Sequence, residues 1–293
     1  MFSIVITTKN RLAFLRRAVS SILNSSLLPN EIIIVNDGGE KPDFSDIDFG
    51  TVSLIIKNND SSLGANYSRN KGIELSSAEN VFLLDDDDAV EEDSFQKRMN
   101  VLLKDERIGL VFTGIKIVLS SDLNNVRRTV FPREYSDYTE ALFSKGNVIG
   151  STSRVLIRKK FFMAAGKFDE TLPCMQDYDL WIRMSQHCKI KHDNSATVIY
   201  TVHNNKRQIS SNFMKYLETG EVLLSKYSAL INESQRKQFM ANLYFRVALS
   251  SASTSYIHRM RYALLSLTSV FSLKGLILLL TPYTILKRTY LFA

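Results

Sequence analysis

Four consecutive aspartates, residues 85–88, directly follow the apolar run of residues 81–84. Carboxylates this close together repel one another, and the repulsion raises their pKa values. A divalent cation removes the conflict. Hard carboxylate oxygens favour Mg²⁺ or Mn²⁺, and Mg²⁺ usually shares its coordination shell with substrate phosphates. The alternative is a solvated acidic turn that leads into a helix, because a helix N-terminus favours negative charge. The position directly after a buried run favours the metal site.

Two further polar groups have the chemistry to hold a nucleotide. Asp37 follows another apolar run and precedes two glycines, where its carboxylate could accept hydrogen bonds from a base or a ribose. A simple turn built from Asp and Gly is the alternative. Arg69 lies in a helical pattern that begins after Gly64. A helix N-terminus with an arginine suits an anionic nucleotide, and it is also typical of a solvated surface helix.

The second half of the chain offers a candidate base and a candidate metal ligand. Asp177 and Asp179 lie at the start of a predicted helix, where a carboxylate could remove a proton from an acceptor hydroxyl. Capping of the helix by Asp177 is the alternative. His203 follows a predicted strand and could ligate a metal or contact a diphosphate, although a lone histidine is more often structural.

These residues need a sheet to bring them together. Over the first 115 residues, short apolar runs alternate with helical patterns, which predicts an α/β fold with a mostly parallel sheet buried on both faces. The predicted strands are residues 2–7, 31–36, 52–56, 80–84, 109–113, 154–158 and 197–202; the predicted helices are 11–25 (with Asn10 as N-cap), 65–76, 91–104, 177–187 and most of 208–293. Ligands bind beyond the carboxyl ends of such strands, where the polar groups at 7–11, 36–39 and 85–88 converge.

Charge divides the chain at about residue 205. The net charge of the chain is +7. Residues 206–293 contain 12 Lys and Arg and only 3 Asp and Glu, whereas residues 1–205 contain 25 Lys and Arg and 27 Asp and Glu. We therefore expect a domain at 1–205 and a basic, mostly helical extension at 206–293. The extension could dock on an anionic membrane surface, or its helices could pack on protein with their cations solvated. Nucleic acid is not an expected partner, because an acidic sheet edge repels phosphate unless a metal is present.

Composition predicts a cytoplasmic protein. Two cysteines are too few for a disulfide framework or a thiolate metal cluster, and they fit a reducing compartment. The first residues read as a strand and lack the basic start and long apolar run of a signal peptide. No stretch reaches the ~20 apolar residues that span a bilayer.

The order of the motifs resembles the family 2 inverting glycosyltransferases, of the bacterial polysaccharide and lipopolysaccharide type, which have the GT-A fold. The resemblance covers residues 2 to about 205. Residues 7–11 resemble the family's Pro-Thr-Tyr-Asn-Arg, 36–39 its Asp-Asp-Gly-Ser, 64–72 its Gly-x-x-x-Ala-Arg-Asn-x-Gly, 85–87 its Asp-x-Asp metal motif, 166–170 its Gly-Gly-Phe-Asp-Glu, and 176–181 its Glu-Asp-Tyr-Asp-Leu-Trp. Lys9 stands where the family has an aromatic residue, and Gln176 where it has an acid.

The resemblance implies a role for each matched residue. The nucleotide would be held by Thr7, Lys9, Asp37 and Arg69, with Asp37 on the base. Asp85 and Asp86 would face the ribose and diphosphate. Asp87 would be the main ligand of Mn²⁺ or Mg²⁺, and Asp177 would be the catalytic base. His203 remains a second candidate metal ligand. The resemblance implies a nucleoside-diphosphate sugar, most often UDP-linked, as the donor. The acceptor would be a hydroxyl of a glycan or lipid-linked molecule in surface polysaccharide biosynthesis. Such an enzyme would be cytoplasmic, with a peripheral position on the inner face of the cytoplasmic membrane as an option.

Two other classes of protein fit less well. A sugar nucleotidyltransferase needs a triphosphate site, usually a glycine-rich loop with Arg and Lys after the first strand, and residues 7–11 contain no glycine. A non-catalytic nucleotide-sugar-binding protein would have no need of both the aspartate cluster and Asp177.

Overall fold

The computed structural model describes residues 1–203, 213–252, 254–282 and 285. These residues form two compact units. The first unit consists of Met1–Glu134, Ile149–Glu170 and Leu180–Thr201. The second consists of Tyr135–Val148, Thr171–Asp179 and the described residues from Val202 onward. The predicted boundary at residues 205 and 206 falls outside the described residues.

One sheet organises the first unit and confirms the α/β class. Within the described residues it has nine strands, in the order β3-β2-β1-β4-β8-β6-β9-β5, with β7 paired to β6. The strands are β1 Ser3–Thr8, β2 Glu31–Asn36, β3 Ser53–Asn58, β4 Asn80–Asp85, β5 Ala89–Val90, β6 Ile108–Leu119, β7 Arg128–Val130, β8 Val155–Arg158 and β9 Lys189–Val202.

The parallel half of the sheet places the polar groups at one edge. Strands β3, β2, β1 and β4 pair with one another in parallel. In their register Thr8 lies beside Asn36, and Thr7 lies beside Asp85. The carboxyl ends of β1, β2 and β4 therefore lie side by side, as the alternation of strands and helices predicts. Strands β8, β6 and β7 extend the sheet in antiparallel fashion beyond β4.

Helices cover the first unit and build the second. The first unit contains α1 Leu12–Leu23, α2 Ala65–Leu75, α3 Ser94–Leu102 and α5 Lys159–Ala164; the second contains α4 Tyr138–Lys145, α7 Phe213–Lys226, α8 Glu233–Ser251, α9 Tyr256–Ser269 and α10 Leu273–Leu280. Helix α6 Gln176–Ser185 has its first turn in the second unit and the rest in the first. None of the described helices combines the length and the apolar character that a membrane crossing needs.

The core of the first unit follows from the apolar strands. Ile4 and Ile34 are completely buried on the face that α1 covers, and α1 buries Leu15, Val19 and Ile22 at helical spacing against them. The opposite face is covered by α2, so the central strands are apolar on both faces. This double burial explains why the sequence shows continuous apolar runs rather than alternation.

Three details differ from the sequence-based expectations. Asn10 does not cap α1: its backbone is left-handed (φ 55°), and its Oδ1 accepts the backbone N–H of Glu40, while Arg11 holds the N-cap position. Strands β6 and β9 are 12 and 14 residues long, well beyond the predicted 109–113 and 197–202. In β6 the apolar run is interrupted by Thr113, Gly114 and Lys116, and in β9 the residues before 196 are mostly polar. Neither full strand therefore gives a continuous apolar run.

The close approach of α2 to the sheet yields a test of the packing. A Cβ added at Gly72 would lie 2.3 Å from Cγ1 of the buried Val5. We expect Gly72→Ala to lower the free energy of unfolding by ~1–3 kcal/mol, because overpacking outweighs the ~1 kcal/mol gain in helix propensity. Urea denaturation measures the change. Asn100→Ala at an exposed position of α3 is the control and should stay within ~0.5 kcal/mol. A more stable Gly72→Ala protein would contradict this packing.

Candidate functional site

The four aspartates lie in a tight turn at the end of β4, in which the N–H of Asp88 donates to the carbonyl of Asp85 (3.1 Å). Each carboxylate has a different environment. Asp86 and Asp88 are buried, whereas the side chains of Asp85 and Asp87 are 26% and 18% exposed. The turn therefore presents Asp85 and Asp87 to solvent and turns Asp88 inward.

Asp88 is a structural member of the cluster. Its Oδ1 accepts the backbone N–H of Thr201 in β9 at 2.8 Å, which fastens the turn to that strand. Burial, together with repulsion from Asp87 and Asp85, raises the pKa of Asp88 well above its ordinary value. Of the two aspartates that follow Asp86, the structure thus leaves Asp87 accessible to a ligand.

Arg11 neutralises the middle of the cluster. Its Nη1 donates to Asp87 Oδ2 at 2.8 Å and to Asp86 Oδ1 at 3.2 Å. The hydroxyl of Thr8 donates to the other oxygen of Asp86 at 2.7 Å. Burial nevertheless raises the pKa of Asp86 to about 6, since it outweighs these favourable contacts. A second arginine, Arg17, donates to the backbone carbonyl of Asp87 and to Thr201.

Arg69 is held at the same edge by two motifs. Its Nη2 donates to Asp85 Oδ1 at 2.8 Å, and its guanidinium lies 5.8 Å from the centre of the Phe168 ring. Phe168 is fixed in turn by α2, because its backbone N–H and carbonyl both bond to the side chain of Asn70. Residues 64–72 and 166–170, far apart in sequence, therefore meet around one arginine.

One nitrogen of Arg69 has no partner in the part of the chain that the structure describes. Nη1 is buried and makes no hydrogen bond, although the whole side chain is 11% exposed. A buried guanidinium N–H without an acceptor is costly and is rare in folded proteins. It is the kind of donor that an oxygen of a phosphate would satisfy.

Asp37 lies at the end of β2 with its carboxylate saturated by protein donors. The donors are the side chains of Asn59, Ser62 and Ser68 and the backbone N–H groups of Leu63 and Gly64, at 2.7–3.2 Å. Burial alone would raise the pKa of Asp37, but these hydrogen bonds lower it below its ordinary value. Asp37 thus ties residues 59–64, which lead into α2, to the sheet edge. Its role on a nucleobase stays a prediction.

The remaining predicted nucleotide residues belong to the same edge. Thr7 is half-buried at the end of β1, and Lys9 is exposed in the turn that follows. The first unit therefore brings Thr7, Asp37, Arg69 and the aspartate turn to neighbouring strand ends. Their individual roles toward a ligand stay predictions.

Asp177 and His203 belong to the second unit. Asp177 lies in the first turn of α6, where its Oδ2 accepts from Nδ2 of Asn147 at 3.0 Å and its Oδ1 accepts the N–H of Tyr178 at 2.8 Å. Met175, just before the helix, has a left-handed backbone (φ 56°). His203 is half-buried directly after β9. The predicted base is therefore a half-buried carboxylate oriented by an amide.

The neighbouring Asp179 is fully buried and is fixed from α7. Its Oδ1 accepts from the hydroxyl of Tyr227 at 2.6 Å and from Nζ of Lys226 at 2.8 Å. The last residue of α7 and Tyr227, which follows it, thus anchor the first turn of α6 by an ion pair and a hydrogen bond. The two aspartates of this turn consequently differ: Asp179 is structural, and Asp177 is the one open to solvent.

Sequence reasoning did not assign several residues that the structure places at the site. Arg11, Arg17, Thr8 and Thr152 contact the aspartate turn, and Asn147 contacts Asp177. Thr8 and Arg11 had a signal, since both lie in the 7–11 motif. Asn147 and Thr152 had none, because their partners are distant in sequence.

The donors at the aspartate turn have the chemistry of a hard-cation site. Within the described ranges, no group of three or more His, Cys, Asp and Glu side chains is arranged to hold a metal ion. A cation at Asp87 would accordingly draw most of its ligands from a bound diphosphate and water, as is usual for Mg²⁺. Asp87 fits one such ligand position, because its oxygens reach solvent and are hard.

A family model decides the identity of the chain. The model for "Glycosyl transferase family 2" matches residues 3–164, which contain the whole parallel half of the sheet and the aspartate turn. The chain belongs to glycosyl transferase family 2. As a member of this family it is a glycosyltransferase, and the family's motifs at 7–11, 36–39, 64–72 and 85–87 all fall within the matched residues.

Individual relatives agree with this assignment. The chain is 26% identical over 251 residues to "Uncharacterized glycosyltransferase YwdF" of Bacillus subtilis, covering 80% of this chain and 91% of that protein. It is 26% identical over 187 residues to an uncharacterised glycosyltransferase of Haemophilus influenzae, covering 64% and 62%. Both relatives are named as glycosyltransferases, and neither name states a substrate.

A solved structure confirms the GT-A fold. The TarS structure from S. aureus superposes with a TM-score of 0.62 at 15% identity, covering 94% of this chain and 50% of that chain. A shorter TarS, residues 1–349 in complex with UDP, gives a TM-score of 0.58 at 14% identity and covers 99% and 90%. At this identity the likeness establishes the fold alone.

The hydrogen bonds of Asp37 give a pH-dependent stability prediction. We expect Asp37→Asn to lower the free energy of unfolding at pH 7 by ~1–3 kcal/mol, because the amide has one acceptor oxygen and its NH₂ faces N–H groups. The folded-state pKa of Asp37 is lowered, so its contribution is complete above the unfolded pKa of about 3.9 and is lost as the pH falls through the folded value.

The difference in the free energy of unfolding between the wild type and Asp37→Asn should therefore become smaller as the pH falls below about 4. Denaturation at pH 7, 5 and 3.5 measures it. The control is Asp48→Asn, at an exposed loop position where the amide oxygen can still accept the N–H of Gly50. A difference that stays constant over this range would mean that the ionised carboxylate is not what holds residues 59–64.

Proposed function

We propose that this glycosyltransferase moves a sugar from a nucleoside diphosphate, UDP in the first instance, to a hydroxyl of a glycan or lipid-linked acceptor, with inversion at the anomeric carbon. The observation that carries the donor assignment is the buried, unpartnered Nη1 of Arg69 at the carboxyl edge of the parallel strands. An anion that reaches this edge would meet a preformed guanidinium donor. The TarS structure in complex with UDP supports the choice of a uridine nucleotide.

The nucleotide would lie across the ends of β1, β2 and β4. Thr7 and Lys9 follow β1, Asp37 follows β2, and Arg69 is paired with Asp85 at the end of β4. In this proposal Asp37 recognises the base, Asp85 and Asp86 face the ribose and diphosphate, and Arg69 binds a phosphate oxygen. Ligands of open parallel sheets bind beyond these strand ends.

A divalent cation, Mn²⁺ or Mg²⁺, would be held by Asp87 together with oxygens of the diphosphate; His203 stays a second candidate ligand. When bound, it would offset the negative charge that develops on the departing diphosphate. Arg11 now pairs with the carboxylates of Asp86 and Asp87, and its side chain is 47% exposed. A cation at Asp87 would therefore compete with this guanidinium for the carboxylate.

Asp177 is proposed as the general base. Its carboxylate would accept the proton of the acceptor hydroxyl, while that oxygen forms the new bond to the anomeric carbon from the face opposite the diphosphate. The bond between the anomeric carbon and the diphosphate breaks, and its electron pair leaves with the diphosphate. The amide of Asn147 holds one carboxylate oxygen and so sets its orientation.

The acceptor and its location complete the proposal. A lipid-linked acceptor of bacterial surface polysaccharide or lipopolysaccharide synthesis would place the enzyme in the cytoplasm, against the inner face of the membrane. The basic residues of 206–293 support this placement through their charge.

Replacement of the proposed base tests the chemistry. We expect Asp177→Asn to lower turnover by ~10²–10⁴-fold while donor binding is retained, because the amide keeps the shape but cannot take a proton. Initial rates of UDP release with acceptor present, together with UDP affinity by calorimetry, measure the two effects. Asp48→Asn should have normal turnover. Near-normal turnover in Asp177→Asn would refute the assignment of the base.

Nucleotide and metal specificity test the donor site separately. We expect UDP with Mn²⁺ to raise the melting temperature by several degrees at about 100 times its Kd, with a much smaller shift from ATP or from UDP with a chelator. Asp87→Asn should lose most of the Mn²⁺-dependent rise in melting temperature, because the amide is a weaker ligand for a hard cation than the carboxylate. Circular dichroism checks that this variant is folded.

Two results would contradict this part of the proposal. Equal shifts from UDP and ATP would argue against a uridine site. If Asp87→Asn kept the full Mn²⁺-dependent rise in melting temperature, Asp87 would not be the main metal ligand. The Asp48→Asn protein is the control for this measurement.

A further inference from the structure

The end of the chain has an unusual charge distribution. After Glu233 the remaining 60 residues contain eight Lys and Arg and no Asp or Glu. Among those that the structure describes, the exposed ones are Arg236, Lys237, Arg246, Arg261 and Lys274. The cations of this segment thus have no acid of the same segment to neutralise them.

Helices α9 and α10 form an antiparallel hairpin, residues 256–282, with an apolar outward face. The pairing is shown by Arg259 near the start of α9, whose guanidinium donates to the carbonyl of Thr281 just after α10. The hairpin buries Tyr262, Ala263 and Leu278. Its outward side chains include five large apolar groups that are 54–76% exposed: Ile257, Leu264, Phe271, Leu273 and Leu280.

The exposed apolar side chains are ordered along the helices. On α9, residues 257, 261, 264 and 268 lie on one stripe, and on α10 residues 273, 277 and 280 do the same. Cationic Arg261 falls within the first stripe and Lys274 borders the second. Both helices therefore have one face packed on protein and one face that mixes exposed apolar groups with positive charge.

A basic cavity of about 350 Å³ lies at the end of α9 that leads to Phe271. Its lining residues on α8 are Glu233, Arg236, Lys237, Met240 and Tyr244, and those on α9 are Thr268 and Ser269, so two cations face one acid. Its size and charge suit the phosphate of a lipid headgroup. The cavity and the outward face of the hairpin belong to the same unit and meet at residues 268–271.

We propose that the outward face of the α9–α10 hairpin docks on the surface of an anionic bilayer, with Arg236 and Lys237 against lipid phosphate. Exposed apolar groups beside cations are what an interfacial helix needs. A second copy of this chain is a poorer occupant, because a two-fold contact would bring Arg261 and Lys274 of both copies together without an acid. The proposal extends the membrane location suggested under the proposed function, and it can fail while sugar transfer stands.

Vesicle sedimentation of the full chain tests the docking. We expect strong binding to vesicles of phosphatidylglycerol and phosphatidylcholine, weak binding to phosphatidylcholine alone, and a marked loss of binding in high salt. Arg236→Gln with Lys237→Gln should weaken binding by ~25-fold, about fivefold for each cation removed. Leu273→Ser with Leu280→Ser should weaken it by at least ~10-fold, because two apolar side chains lose their burial.

Matched controls lie outside the hairpin. Lys41→Gln with Lys104→Gln removes two exposed cations of the first unit, and Val222→Ser removes an exposed apolar group of α7. Both should bind vesicles like the wild type. Circular dichroism and melting temperatures check that every variant is folded. UDP release with a soluble acceptor should be unchanged in the Arg236→Gln, Lys237→Gln protein and in the Leu273→Ser, Leu280→Ser protein.

The outcomes are distinct. Two results would overturn the proposal: equal binding to charged and neutral vesicles, or binding that neither the Arg236→Gln, Lys237→Gln protein nor the Leu273→Ser, Leu280→Ser protein weakens. Absence of vesicle binding, with a dimer in light scattering that the Leu273→Ser and Leu280→Ser changes dissociate, would assign the face to a second copy instead. Loss of UDP release without loss of vesicle binding would count against the transfer mechanism only.

Discussion

The repulsion among four carboxylates at the end of a buried strand is the constraint on which the first unit depends. Each carboxylate accepts hydrogen bonds from protein groups: Asp85 from Arg69 and Thr152, Asp86 from Thr8 and Arg11, Asp87 from Arg11, and Asp88 from a backbone N–H. These partners come from β1, α2, the segment before β8, and β9, so the turn holds together elements that are far apart in sequence. The turn is thereby a structural junction, whatever ligand the proposed function places there.

This arrangement opposes stability at neutral pH. A carboxyl group whose pKa is raised in the folded state prefers to be protonated there, so its ionisation above that pKa favours the unfolded chain. Under the proposed function, these carboxylates would face a cation and a diphosphate, which would account for their retention at this edge. Sites that conflict with local stability are expected where function requires them.

Much of the first unit could be predicted from the sequence. The strands at 31–36 and 80–85 and the convergence of their ends follow from continuous apolar runs, which only doubly covered strands show. The first half of β9 could not be predicted, because its inward and outward residues alternate weakly. The GT-A fold followed from six motifs in order, although none of them is specific alone.

The contacts within the site were harder to predict. Asn147 orients Asp177 from 30 residues away, and the pairing of Asn70 with Phe168 spans 98 residues. Neither Asn147 nor Asn70 has a local sequence signature for its contact, since the side chain of any asparagine can donate and accept hydrogen bonds. The inclusion of residues 135–148 and 171–179 in the second unit likewise depends on packing rather than on composition.

The carboxylate of Asp37 has a thermodynamic consequence for ligand recognition. Five protein groups already donate to it, and three of them lie at residues 62–64, immediately before the helix that carries Arg69. Any ligand group that donates to Asp37 must share its oxygens with these groups or displace them. Affinity for that ligand would then include the free energy of loosening residues 62–64, so occupancy of the sheet edge and order at the start of α2 would be linked quantities.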